Sequence, residues 1–139
     1  INTMFPLARA LQERGHKITV FGTPIAQAKV QAAGFNMRLI GETEFSLDKV
    51  AKIYTKLGEL KGLAATKYTL QTIAKRADVN LREISKAAKE ENIEALIIDQ
   101  ICFEGATIAE YLNVPFVTLC SALLTNQENT VPPWIQPWK

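Results

Sequence analysis

Asp99 directly follows a wholly apolar run, Ala95 to Ile98, and has Gln100 beside it. A carboxylate at the end of such a run must be paired, hydrogen-bonded or wet, and it is well placed to orient a base. Aspartate is also a good helix N-cap, here for a segment starting near Ile101 or Cys102. Residue type leaves both readings open. Ser121 follows a second apolar run, Val114 to Leu119, but no GxSxG surrounds it, so a nucleophile elbow has no support. His16 is the only histidine; it lies in an Arg-Gly-His-Lys turn ahead of a β-branched run, which makes it a solvated turn residue. Cys102 and Cys120 sit in apolar settings with no CxxC and no nearby histidine. They read as two buried thiols in a reducing compartment rather than as metal ligands. There is no GxGxxG and no GxxxxGK motif to cradle a phosphate.

The elements that would position these residues follow from periodicity. Met4 to Arg14 repeats apolar residues on one face, with Asn2 or Thr3 as candidate N-cap and Gly15 where a left-handed C-cap is wanted. Lys17 to Phe21 is a strand, Ile25 to Ala33 a helix closed by Gly34, and Phe35 to Ile40 a second strand followed by a polar loop, Gly41 to Ser46. Leu47 to Leu60 and Leu63 to Glu91 are helical in pattern. In the longer one Leu70, Ile73, Ala77, Leu81, Ile84 and Ala88 form a stripe expected to pack on a sheet. The run from Ala95 to Ile98 suits a strand buried on both faces. Phe103 to Leu112 is a helix with Asn113 as C-cap, and Val114 to Leu119 the last strand, with Pro115 near its start where a missing donor is tolerated.

Helices alternating with short strands predict an α/β fold, because each parallel crossover needs a helix on a face of the sheet. In such a sheet ligands bind beyond the carboxyl ends of the strands. Asp99, Gln100, Phe103 and Ser121 fall there, and His16 falls at the opposite end.

The chain has 139 residues, 47% hydrophobic and 22% charged, which suits one globular domain with one core. A net charge of +2 with both signs interspersed gives nucleic-acid binding no support. No apolar run approaches the ~20 residues of a membrane helix and no signal peptide is visible, so the expected location is cytoplasmic. From Asn126 to Lys139 the chain turns into a Pro/Trp-rich tail, the kind of segment that packs on a neighbour or leads into further chain.

Two stretches carry a resemblance. PLARALQERGHKITVF, Pro6 to Phe21, is similar to the first helix and second strand of the amino-terminal domain of UDP-sugar-dependent glycosyltransferases with the GT-B fold. DQICFEGATIAEYLNVPFVTL, Asp99 to Leu119, resembles their later Asp, helix and Val-Pro strand segment. Continued through CSALLTN, Cys120 to Asn126, and Pro132-Pro133, the likeness is greatest to the zeaxanthin glucosyltransferase-like and macrolide glycosyltransferase-like branch. It weakens between Gly41 and Asn92.

The resemblance implies a Rossmann-like parallel sheet with flanking helices, half of a GT-B fold with its first strand missing from the interior of the sheet. Residues 1–139 would be the acceptor-side, amino-terminal domain, truncated at both ends and lacking the donor-binding carboxyl-terminal domain. The enzyme it implies is an inverting hexosyltransferase. It moves sugar from a UDP-sugar to a hydroxyl of a small apolar acceptor, carotenoid-, macrolide- or other secondary-metabolite-like, with no cofactor beyond the donor. Asp99 matches the family's aspartate that orients a base histidine; that histidine would lie before Ile1, and His16 does not replace it. Gln100, Phe103 and Ser121 are the acceptor-lining candidates. An apolar acceptor would suit peripheral membrane association, and the segment by itself is expected to be inactive. The rival reading from another class is a non-catalytic α/β module that binds a ligand or a partner.

Overall fold

The computed structural model describes residues 3–121. Of the two N-cap candidates Asn2 lies outside the described residues, as does the Pro/Trp-rich tail, and Thr3 is not the cap, a position held by Met4 without a side-chain bond. Helix α1 (Phe5–Glu13) has Pro6 in its first turn, where the missing N–H is harmless, and ends on Gly15 with φ +90°. Strand β1 (Thr19–Gly22) leads through a 3-10 turn, Pro24–Ala26, into helix α2 (Gln27–Ala32) and then strand β2 (Asn36–Leu39). Two helices follow without a strand between them, α3 (Leu47–Glu59) and α4 (Gly62–Glu90). Strand β3 (Leu96–Asp99), helix α5 (Gly105–Leu112) and strand β4 (Phe116–Leu119) complete the described order. Asn113 takes the left-handed conformation at the end of α5, as its residue type favours.

The fold is α/β with parallel pairing, as the alternation predicts. β1 pairs with β2, Thr19 opposite Asn36, and β3 pairs with β4, Leu96 opposite Phe116. Among the described residues these are two separate two-stranded sheets, with no ladder joining them. Their common direction is set by α4, which spans both. At the carboxyl ends Glu83 accepts the Gly41 N–H (2.7 Å) beyond β2, and Arg76 donates to the Ile101 carbonyl (2.7 Å) beyond β3. At the amino end Lys17, ahead of β1, pairs with Glu91 just past α4 (3.4 Å). All four strands therefore run antiparallel to α4, and the sheet is interrupted between β1 and β3.

Apolar burial is divided between two clusters. Ala8, Val30 and Phe35 pack α1 and α2 against Ile18, Val20 and Met37. Ile40, Phe45, Val50, Val79 and Ala87 join the end of β2 to α3 and α4. Phe45 comes from the stretch expected to be a polar loop. It turns inward because Gly41, with φ +64°, folds the chain tightly over it; a Cβ on Gly41 would stand 2.8 Å from the Phe45 ring. The stripe on α4 also needs correcting. Leu70 and Leu81 are exposed, and the buried positions are Val79, Asn80, Ala87 and Ala88, because α4 meets two sheets and α5 rather than one flat surface. Nor is β3 buried on both faces: Ile98 packs beneath α5, whereas Ile97 is 37% exposed.

Candidate functional site

A cleft of about 440 Å³ runs between β1 and β3. Its long walls are the consecutive residues Lys17 to Thr23 and Ala95 to Asp99; Phe5 and Ala8 of α1, Ile84 of α4 and Ile108 of α5 close its faces. Most of the lining is aliphatic. At the carboxyl ends of the strands it becomes polar, with Asp99, Cys102, Glu104, Arg76 and Asn80. This is the end of the sheet where open α/β folds bind ligands.

Asp99 occupies that end as the last residue of β3. Its carboxylate accepts the Ile101 N–H (3.1 Å) and its carbonyl accepts the Cys102 N–H (2.8 Å), an aspartate turn that redirects the chain toward α5. The N-cap reading is corrected in part. The cap position of α5 is held by Glu104, without a side-chain capping bond, and the Asp99 bond stabilises the turn two residues before it. α5 starts at Gly105 rather than Phe103 because turns closed by the Cys102 and Gly105 N–H groups use up the intervening residues.

The other sequence candidates are placed differently. The Gln100 N–H bonds the Leu119 carbonyl (3.2 Å), tying the end of β3 to β4. Phe103 is 62% exposed and Ser121 is exposed just beyond β4; of the four candidates only Asp99 lines the cleft. His16 is exposed in the turn at the amino end of β1, the position its neighbours predict.

Three residues in the cleft were not anticipated. Glu104 is 6% exposed and accepts a hydrogen bond from the Asn80 amide (2.5 Å), itself buried on α4. Its second oxygen, Oε2, has no partner among the described residues, and neither does the buried Nε of Arg76. A signal was present in sequence only as Asn80 beside Val79 on a packed helix, a polar group that must find a partner when buried. Burial pushes the Cys102 thiol above its ordinary range, and the Glu104 carboxylate adds to the shift while Arg76 opposes it. The pair of buried thiols is also corrected: Cys102 is half-buried and Cys120 exposed, because β4 leaves its outer side uncovered by described residues. No three His, Cys, Asp or Glu side chains among the described residues converge as a metal site. No helix among them is long and apolar enough to cross a membrane.

This arrangement, short parallel strands with flanking helices and a polar site at their carboxyl ends, is the Rossmann-like half of a GT-B fold. The chain matches solved structures of the calicheamicin glycosyltransferase CalG4 (TM-score 0.69, 22% identity, 91% of this chain and 30% of that one) and the spinosyn rhamnosyltransferase SpnG (TM-score 0.60, 23% identity, 83% and 30%). In sequence it is 23% identical over 133 residues to zeaxanthin glucosyltransferase of Pantoea ananas, covering 96% of this chain and 31% of that protein. It is 25% identical over 127 residues to the NDP-glycosyltransferase YjiC of Bacillus subtilis, covering 91% and 30%. No family profile matches. The resemblance read from the two sequence stretches is thus found over nearly the whole chain, and the relatives are glycosyltransferases. The chain spans about 30% of their length.

Proposed function

We propose that this chain is the acceptor-side, amino-terminal part of an inverting glycosyltransferase that transfers sugar from a UDP-sugar to a hydroxyl of a small apolar acceptor. The observation that carries the reading is Asp99, held by its turn at the polar mouth of an otherwise aliphatic cleft. A carboxylate there can hold the far nitrogen of an imidazole, select its tautomer and stabilise the imidazolium formed when the acceptor hydroxyl is deprotonated. The imidazole would belong to a histidine ahead of Ile1, and the donor nucleotide to a carboxyl-terminal domain of the same enzyme. The printed names of the relatives support the coarser part of this reading, a nucleotide-sugar donor and an aglycone acceptor: SpnG was solved with thymidine diphosphate and with spinosyn aglycone, and the uridine of the donor belongs to the proposal alone. Cytoplasmic placement, contact with a membrane surface through the acceptor and inactivity of the isolated 139 residues belong to the same proposal.

The test uses the full-length enzyme. Asp99→Asn keeps an oxygen able to accept the Ile101 N–H and removes the charge, so the turn survives while the base loses its support. Turnover should fall by on the order of 10² or more, with nucleotide-sugar affinity unchanged by calorimetry. Unchanged turnover would reduce Asp99 to a turn residue.

A further inference from the structure

We propose that the outer half of the α3–α4 hairpin is a docking surface for an anionic lipid bilayer, drawn to the phosphates by its lysines and seated by leucines that enter the headgroup layer. The proposal deepens the membrane contact of the proposed function and rests on that reading for its purpose, an apolar acceptor held in lipid; the surface itself is argued from charge and exposure. The last buried residue of α3 is Val50 and the first of α4 is Val79. Between Ala51 and Asp78 no residue is buried. Arg76 meets the Ile101 carbonyl beyond β3, and α4 continues from that contact back to Gly62, roughly 20 Å of helix at the end of the molecule where Asp99 lies. This half of the hairpin therefore stands clear of the core.

Its charge differs from that of the rest of the chain. Between Leu47 and Lys75 six lysines meet two carboxylates, Asp48 and Glu59, a net +4, whereas the remaining residues carry 10 Lys and Arg against 12 Asp and Glu, a net −2. The ion pairs among the described residues gather farther along α4, on partners from Asp78 to Glu91, and none takes up one of these six lysines. Lys52, Lys61 and Lys67 are exposed. The same surface shows large apolar side chains to water. Leu63 is 88% and Leu70 60% exposed, and Tyr54 on α3 is exposed as well. Leu63 and Leu70 are seven residues apart, close to two turns, so they share one line of α4, which Leu81 continues eleven residues on. Lys67 stands one turn from each of the first two. Leucines in line with lysines beside them are the pattern of a helix lying in a membrane interface, where the alkyl stem follows the apolar layer and the ammonium reaches a phosphate. A nucleic acid would use the charge and leave the leucines in water.

The test uses the full-length enzyme and vesicles of phosphatidylcholine, alone or with about one-third phosphatidylglycerol. Cosedimentation should require the anionic lipid and weaken as salt rises. Lys52→Gln, Lys61→Gln and Lys67→Gln combined should weaken binding to the anionic vesicles about 10²-fold. Leu63→Ser with Leu70→Ser should weaken it about tenfold or more and leave the salt dependence in place. All five side chains are exposed, so both variants should keep the parent's circular dichroism and melting midpoint. Unchanged binding of both variants, or equal binding to phosphatidylcholine alone, would overturn the proposal. So would a single-stranded oligonucleotide that displaces the vesicles and binds the leucine variant as tightly as the parent, which would make the lysines a nucleic-acid surface. Asp99→Asn should sediment like the parent. Full turnover in that variant would remove the catalytic reading and leave this surface standing, whereas vesicle binding that survives both hairpin variants removes the surface and leaves the catalytic reading.

Discussion

Cys102 shows how much local surroundings decide at the scale of a single residue. Its thiol is half-buried beside a carboxylate, so the neutral form is favoured in the folded chain. A raised thiol pKa stabilises the fold fully below the ordinary thiol range of about 8.5, and that contribution is lost as pH rises through the folded value. At pH 8 iodoacetamide should therefore modify exposed Cys120 well before Cys102, and Cys102 should react only at higher pH or on unfolding. Mass mapping that found equal rates would show that the burial is not what controls it. Cys102 and Cys120 have similar apolar neighbours in sequence, and nothing in those neighbours separates them. The difference arises because the turn after Asp99 carries Cys102 into the cleft while Cys120 follows the outer strand.

Gly105 governs the packing of one element on another. It opens α5, and a Cβ placed there would collide with the Ile98 side chain of β3. Ile98 is buried and branched at Cβ, so it has little freedom to move aside. Gly105→Ala should therefore destabilise by about 1–3 kcal/mol as an overpacked contact, despite alanine's better helix propensity. A denaturant midpoint at or above the parent's would contradict this close approach. The elements themselves were largely legible: the strand-helix alternation, the glycine after α1, the Asn113 cap and both long helices follow from period and punctuation. The ends of the strands were not, because a strand ends where its partner ends, and β1 and β2 share only four paired residues.

On the scale of the whole molecule, the cluster around Phe45 joins the end of β2 to α3 and α4. Phe45→Ala would open a cavity where the end of β2 meets α3 and α4 and should cost about 3–5 kcal/mol, read as a cooperative loss of both sheets' amide protection. A loss confined to the turn would show that the two sheets fold separately. The sequence by itself determined the α/β class, the parallel crossovers, the likeness to glycosyltransferases and the placement of Asp99 at the carboxyl end of its strand, since each depends on local period or on a contiguous motif. Only the tertiary structure decided that Asn80 and Glu104, 24 residues apart, share a hydrogen bond, that Glu104 and Arg76 have buried atoms with no partner among the described residues, and that a cleft separates the two described strand pairs. Those facts depend on how α4 lies across both strand pairs, and the direction of a helix over a sheet is set by contacts among residues far apart in the chain.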